Sequence, residues 1–138
     1  MRRLRRPSRE GERGQALVEF AITLPILLFL LLGIADFARA WNVYEVLTDA
    51  GREAARLAVV DNGSTEADVR AVVRAAAGRA GISVQDEQIV IEEGATRGEP
   101  TTVTITHGQE LRWVGWMMGL VGADRVLNFT VASTMRRE

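Results

Sequence analysis

The side chain whose placement most demands a chemical explanation is Glu19, which interrupts an otherwise uncharged run from Gly14 to Ala35. A carboxylate inside an apolar helix costs roughly 3 kcal/mol near a bilayer centre and is retained where a partner meets it. Glu19 lies about one turn inside the run, so its side chain can also reach back to the interface. Other reactive groups are sparse. His107 is the only histidine and cysteine is absent, which leaves no nucleophile–base pair and no thiolate metal site around it. Followed by Gly108, it reads as a turn residue at a strand end. Asp86-Glu87 and Glu92-Glu93 are acidic pairs beside turns, ordinarily solvated and at most weak ligands for a divalent ion. No phosphate-cradling glycine loop follows a strand. The sequence therefore carries no catalytic constellation, metal site or cofactor motif.

The element that must position Glu19 is a helix. Ala16 to Ala35 at ~1.5 Å per residue spans roughly 30 Å, the thickness of a hydrocarbon core. The chain can cross a bilayer once, with residues 15–36 as the span. Arg2, Arg3, Arg5, Arg6, Arg9 and Arg13 precede it, opposed only by Glu10 and Glu12. By the positive-inside rule the leader, residues 1–14, is cytoplasmic and residues 37–138 are extracytoplasmic. A secretory signal peptide would place small residues and a loop after the apolar core, whereas Gly33 to Ala38 runs on into helix-forming sequence. The leader, polar and broken by Pro7 and Gly11, shows no apolar periodicity and is predicted to lack regular structure.

Gly14, four uncharged residues, Glu19-Phe20 and an apolar helix containing Pro25 together resemble the leaders of prepilins and pseudopilins. The wording Gly14-Gln15-Ala16-Leu17-Val18-Glu19-Phe20-Ala21, then Leu24-Pro25 and Gly33-Ile34-Ala35-Asp36, is similar to the TadE-like pseudopilins of tight-adherence (Tad/Flp) pili. That resemblance covers the first third of the chain strongly and the rest loosely. It implies cleavage by a prepilin peptidase immediately after Gly14, with the apolar helix kept in the mature protein and Glu19 as its fifth residue. It also implies a minor pseudopilin of the bacterial inner membrane that assembles or anchors a pilus alongside other pilins, pseudopilins and inner-membrane assembly proteins. Cleavage would leave an α-amino group on Gln15, mostly charged at neutral pH with a pKa near ~8. That cation and Glu19-Phe20 of a neighbouring subunit would share one layer, so pairing would offset the desolvation of both charges and fix the register between helices. The alternative reading is an unprocessed single-pass anchor for an extracytoplasmic scaffold or sensor domain.

At 138 residues, removing leader and span leaves enough chain for one small domain. The formal net charge of −1 hides a basic leader and an acidic remainder; the remainder is unsuited to nucleic acid. Beyond the span, Phe37, Trp41, Tyr44, Leu47, Ala50, Ala54, Leu57 and Ala58 recur every three or four residues, which predicts that the spanning helix continues outward as an amphipathic one. Asp36 and Arg39 are spaced for a surface ion pair. Asp61-Asn62-Gly63-Ser64 ends that helix. Ser64 or Thr65 caps a second one, with Val69, Val72, Val73 and Ala76 on its apolar face and Gly78 or Gly81 at its end. From Gln88 the period becomes strand-like: Ile89-Val90-Ile91, Thr101 to Thr106 and Leu127 to Ala132, with a hairpin-like loop from Glu93 to Pro100. The predicted class is α+β, a pilin-like long helix laid on a small antiparallel sheet. Between the last two strands, Trp113, Trp116, Met117 and Leu120 share a helical face. They either pack a short helix on the sheet or form an exposed patch that docks a partner subunit or the outer leaflet of the lipid bilayer.

Overall fold

A computed structural model describes residues 9–61, 63–94, 98–120 and 122–136. Arg2, Arg3, Arg5 and Arg6 of the leader, Asn62 of the turn cluster, the loop tip at 95–97 and the side chain of Leu120 lie outside the described parts.

One helix, α1, runs from Arg9 to Val60 and carries Pro25 in its interior. Its apolar first half is long and apolar enough to cross a membrane, and none of its most apolar window is buried in the fold. The helix begins at Arg9, five residues before Gly14 and within the segment read from sequence as unstructured. Helix, once nucleated, propagates cheaply into Glu and Arg, which are good helix formers. At the far end α1 stops at the turn cluster, where Ser64 N–H donates to the Asp61 carbonyl at 3.2 Å and Gly63 N–H to the Asp61 side chain at 3.0 Å.

Helix α2 spans Glu66–Arg79 and opens on a capping box: Thr65 Oγ1 accepts from Asp68 N–H at 3.3 Å while Thr65 N–H donates to the Asp68 carboxylate at 2.8 Å. Two orphan donors are thereby satisfied reciprocally. Its exit is a Schellman motif: Ile82 N–H bonds the Ala77 carbonyl and Gly81 N–H the Gly78 carbonyl, both at 3.0 Å. Gly81, at φ +73°, supplies the left-handed residue this requires. Arg70 then ties α2 to a 3₁₀ turn at Asp86–Gln88, donating to the carbonyls of Asp86 and Ile89 at 2.7 and 3.0 Å.

Strands β1 (Ile89–Glu92), β2 (Pro100–Glu110) and β3 (Val126–Arg136) form an antiparallel meander in the order β1-β2-β3. Alternation along β2 sends Thr101, Val103 and Ile105 inward. The opposite face is threonine-rich, with Thr102 paired to Thr134 and their hydroxyls 2.9 Å apart. The inner face is covered by α1, and α2 packs on α1 in turn. The core joins Val43, Leu47, Ala50 and Ala54 of α1 to Val69 and Val73 of α2 and to Ile89, Val103, Ile105 and Val131 of the sheet. Small residues let helix and sheet approach closely: a Cβ on Gly51 would lie 2.9 Å from Ser133 Oγ and 3.6 Å from Ile105 Cδ1. The architecture is α+β, as the sequence periods predict.

Two further expectations change. His107 lies inside β2 opposite Phe129, not in a turn; the glycine after it continues the strand. The segment between β2 and β3 does form a short helix, α3 (Gly115–Leu120). Trp113 precedes it, however, and among the described residues α3 contributes nothing to the core cluster. What holds α3 is a hydrogen-bond clasp to α1.

Candidate functional site

Two places on α1 bear on function. The first is the stretch Gly14 to Phe20. All of it is helical and exposed, and a Cβ on Gly14 would meet nothing within 4 Å. Gln15 and Glu19, four residues apart, lie on one helix face. Phe20 is likewise exposed. No part of the described outer domain folds back over this stretch.

The second place is the end of the apolar run. Asp36 is only 3% exposed, and its carboxylate accepts the backbone N–H groups of Arg112, Trp113 and Val114 at 3.2, 2.8 and 2.8 Å. Arg39 Nη1 adds a fourth donor at 3.2 Å. Asp36 therefore pins the three residues that lead into α3, while the Val114 carbonyl accepts from Met117 and Met118 N–H at 3.0 Å each. At its base the excursion is closed by Leu111 N–H bonding the Arg125 carbonyl at 2.8 Å. The i,i+3 spacing to Arg39 was legible, but it suggested a weak surface pair. The role of Asp36 was missed because its main partners are backbone groups 76 to 78 positions away. One signal was available: Gly33, Asp36, Ala40, Val43 and Leu47 share one face, so the first charge after the apolar run lies on the face turned to the core.

The clasp leaves the tryptophans outside. Trp113 is 48% and Trp116 59% exposed, with Met117 half-buried behind them. Along α1, Phe37, Trp41 and Tyr44 form a ladder with ring centroids 6.2 and 6.0 Å apart, extended to Phe129 of β3 at 6.1 Å. Trp41 donates its indole N–H to Glu45 at 3.0 Å.

Residues with enzymatic potential are scattered. His107 is held below the usual imidazole pKa by burial, and its Nδ1 has no hydrogen-bond partner. Asp86 is 3.4 Å from Arg74, a surface pair between α2 and the 3₁₀ turn. Among the described residues, no three His, Cys, Asp or Glu side chains gather as a metal site would need. An open groove between α1 and β3, lined in part by Tyr44, Thr48, Arg52 and Ser133, has neither histidine nor carboxylate in its lining.

Comparison with known families bears on the first place. Residues 14–56 match the family model for TadE-like protein. The match starts at Gly14 and runs through the apolar run, the Asp36 face and the small-residue contact at Gly51. It leaves out α2 and the sheet. The TadE-like segment is thus a continuous piece of α1, as the resemblance of Gly14 to Asp36 implied. Neither the curated proteins nor the solved structures yield a match.

Proposed function

We propose that this chain is a TadE-like minor pseudopilin, cut after Gly14 by a prepilin peptidase and held in the bacterial inner membrane by α1. Its leader faces the cytoplasm and its α+β domain lies outside. In this reading it has no catalytic activity. It assembles or anchors a tight-adherence pilus through lateral contacts with other pilins and with inner-membrane assembly proteins.

The observation that carries this reading is an acid that meets no partner among the described residues, on a helix whose residues 14–56 match the TadE-like family model. Glu19 is exposed on a segment that the other described residues leave uncovered. Cleavage after Gly14 would supply a counter-charge for it, the new α-amino group on Gln15. An ammonium at a helix N-terminus opposes the helix dipole, so the amine on Gln15 needs an acid as much as Glu19 needs a base. Gly11 and Gly14 both lie near the start of α1, each weakening the helix by about 1 kcal/mol relative to alanine. The chain can therefore unwind where the peptidase must bind it.

A second reading is favoured by one observation. α1 runs from Arg9 through Gly14 without a break, as it would in an unprocessed anchor for a scaffold or sensor domain. The two readings separate at Glu19. Co-purification of pilin-like subunits from membranes should be lost in both Glu19→Ala and Glu19→Gln, while membrane insertion is kept or improved. Unchanged co-purification would overturn the pairing role.

A further inference from the structure

We propose that the excursion from Leu111 to Leu120 is a membrane-surface element, with Asp36 as the positioning residue that seats Trp113 and Trp116 in the lipid leaflet on the domain's side. This rests on reading α1 as a membrane span. Depth is the first argument. Helix side chains lean toward the helix N-terminus, so the Asp36 carboxylate reaches back toward the span. The backbone it holds follows: Val114 Cγ2 lies 3.8 Å from where a Cβ on Gly33 would be. Gly33 belongs to the apolar run, three residues or about 4.5 Å before Asp36. Val114 therefore packs against the last turn of the span, and the chain on either side of it stands at the same level.

Exposure and chemistry identify the occupant. Trp113 and Trp116 present large apolar surfaces outward while the clasp consumes the polar backbone groups beneath them. An indole, apolar in body with one N–H donor, partitions to the headgroup level of a bilayer. Continuity with the span argues for lipid, since a patch beginning at Gly33 meets the surrounding leaflet before anything else. On α1, Phe37 and Trp41 are exposed about one and two turns beyond Gly33. The domain is thus attached at two points, through α1 and through the tryptophan excursion. A buried carboxylate at this depth is tolerable because three N–H groups and Arg39 meet its charge.

The test uses the full chain at one copy per lipid nanodisc. The chain has three tryptophans, so Trp41→Phe leaves Trp113 and Trp116 as the reporters. Lipids brominated high on the acyl chain should remove most of their emission, and aqueous iodide little. Strong iodide quenching with no effect of brominated lipid overturns the proposal. So does emission that is shielded from both quenchers only when two copies share a disc, which puts a second copy on the patch. Adding Asp36→Asn should shift quenching from lipid to iodide while the chain still resists alkaline carbonate extraction. Unchanged lipid quenching in that variant overturns the positioning role of Asp36. Carbonate release of the unmutated chain overturns the span reading and this one together; retention with water-quenched tryptophans overturns this one alone.

Discussion

The two halves of α1 are one continuous helix with opposite fates. From Arg13 to Ala35 its large apolar side chains are mostly exposed all round, with Leu28 49% accessible; from Ala40 to Ala55 one face is sealed, with Leu47 at 0%. A helix apolar on every side suits lipid, whereas one with a single apolar stripe suits a protein core. The outer half also replaces bulk with Ala50, Gly51, Ala54 and Ala55 where it meets the sheet and α2. The inner half keeps branched and aromatic residues throughout. Packing is therefore concentrated in the outer half, while the inner half keeps its apolar side chains exposed.

The same substitution in each half breaks the comparison most sharply. Leu47→Ala should destabilise the outer domain by about 2–5 kcal/mol through lost burial and a residual cavity. Leu28→Ala should leave domain unfolding within about 0.5 kcal/mol of the parent. Chemical unfolding of both variants in nanodiscs, followed by the sheet's circular dichroism, measures the contrast. Equal effects would mean that the inner half is packed on the domain after all.

A smaller effect is expected at α2, which supports the outer half from behind. Thr65→Ala removes one side of the capping box and should cost about 1 kcal/mol in the same unfolding measurement, with membrane insertion unaffected.

The smallest effect is the response to acid. The Thr65 backbone N–H and then its hydroxyl hold the Asp68 carboxyl below its usual pKa. Burial holds His107 below that of a free imidazole. Both groups have folded values lower than unfolded ones. Each contribution is full above the unfolded pKa and is lost as pH falls through the folded one. Stability should first decline as pH drops below about 6.5, where the unfolded chain begins to protonate His107, and again in the carboxylate range through Asp68. Unfolding midpoints measured from pH 7 to pH 3 should show the first decline flattened in His107→Gln and the second in Asp68→Asn.

Most of this division was legible in the sequence. The apolar run, the change to a three-and-four spacing after Asp36, the turn at Asp61 and the alternation in Thr101 to Thr106 each set one element, because periodicity reports which face is buried. Helix start, strand length and the site at Asp36 were less legible. The start at Arg9 depends on helix propagation upstream of Gly14, and β2 extends to Glu110 because β3 pairs with it along its whole length. Asp36 binds peptide N–H groups, which every residue except proline carries, so no side-chain pattern marks them. The likeness of Gly14 to Phe20 to a processing motif was visible because it is local. The placement of Trp113 and Trp116 was not, because it depends on a contact between distant segments.

Cleavage after Gly14 is the step that would turn the exposed inner half into an assembly surface. Its most direct test is the intact mass of the membrane-extracted protein from cells with and without a prepilin peptidase, with Gly14→Ala as a third sample. Loss of Met1 through Gly14 only when both the peptidase and Gly14 are present is the expected result. An unprocessed chain in all three samples would contradict maturation and leave a single-pass anchored domain.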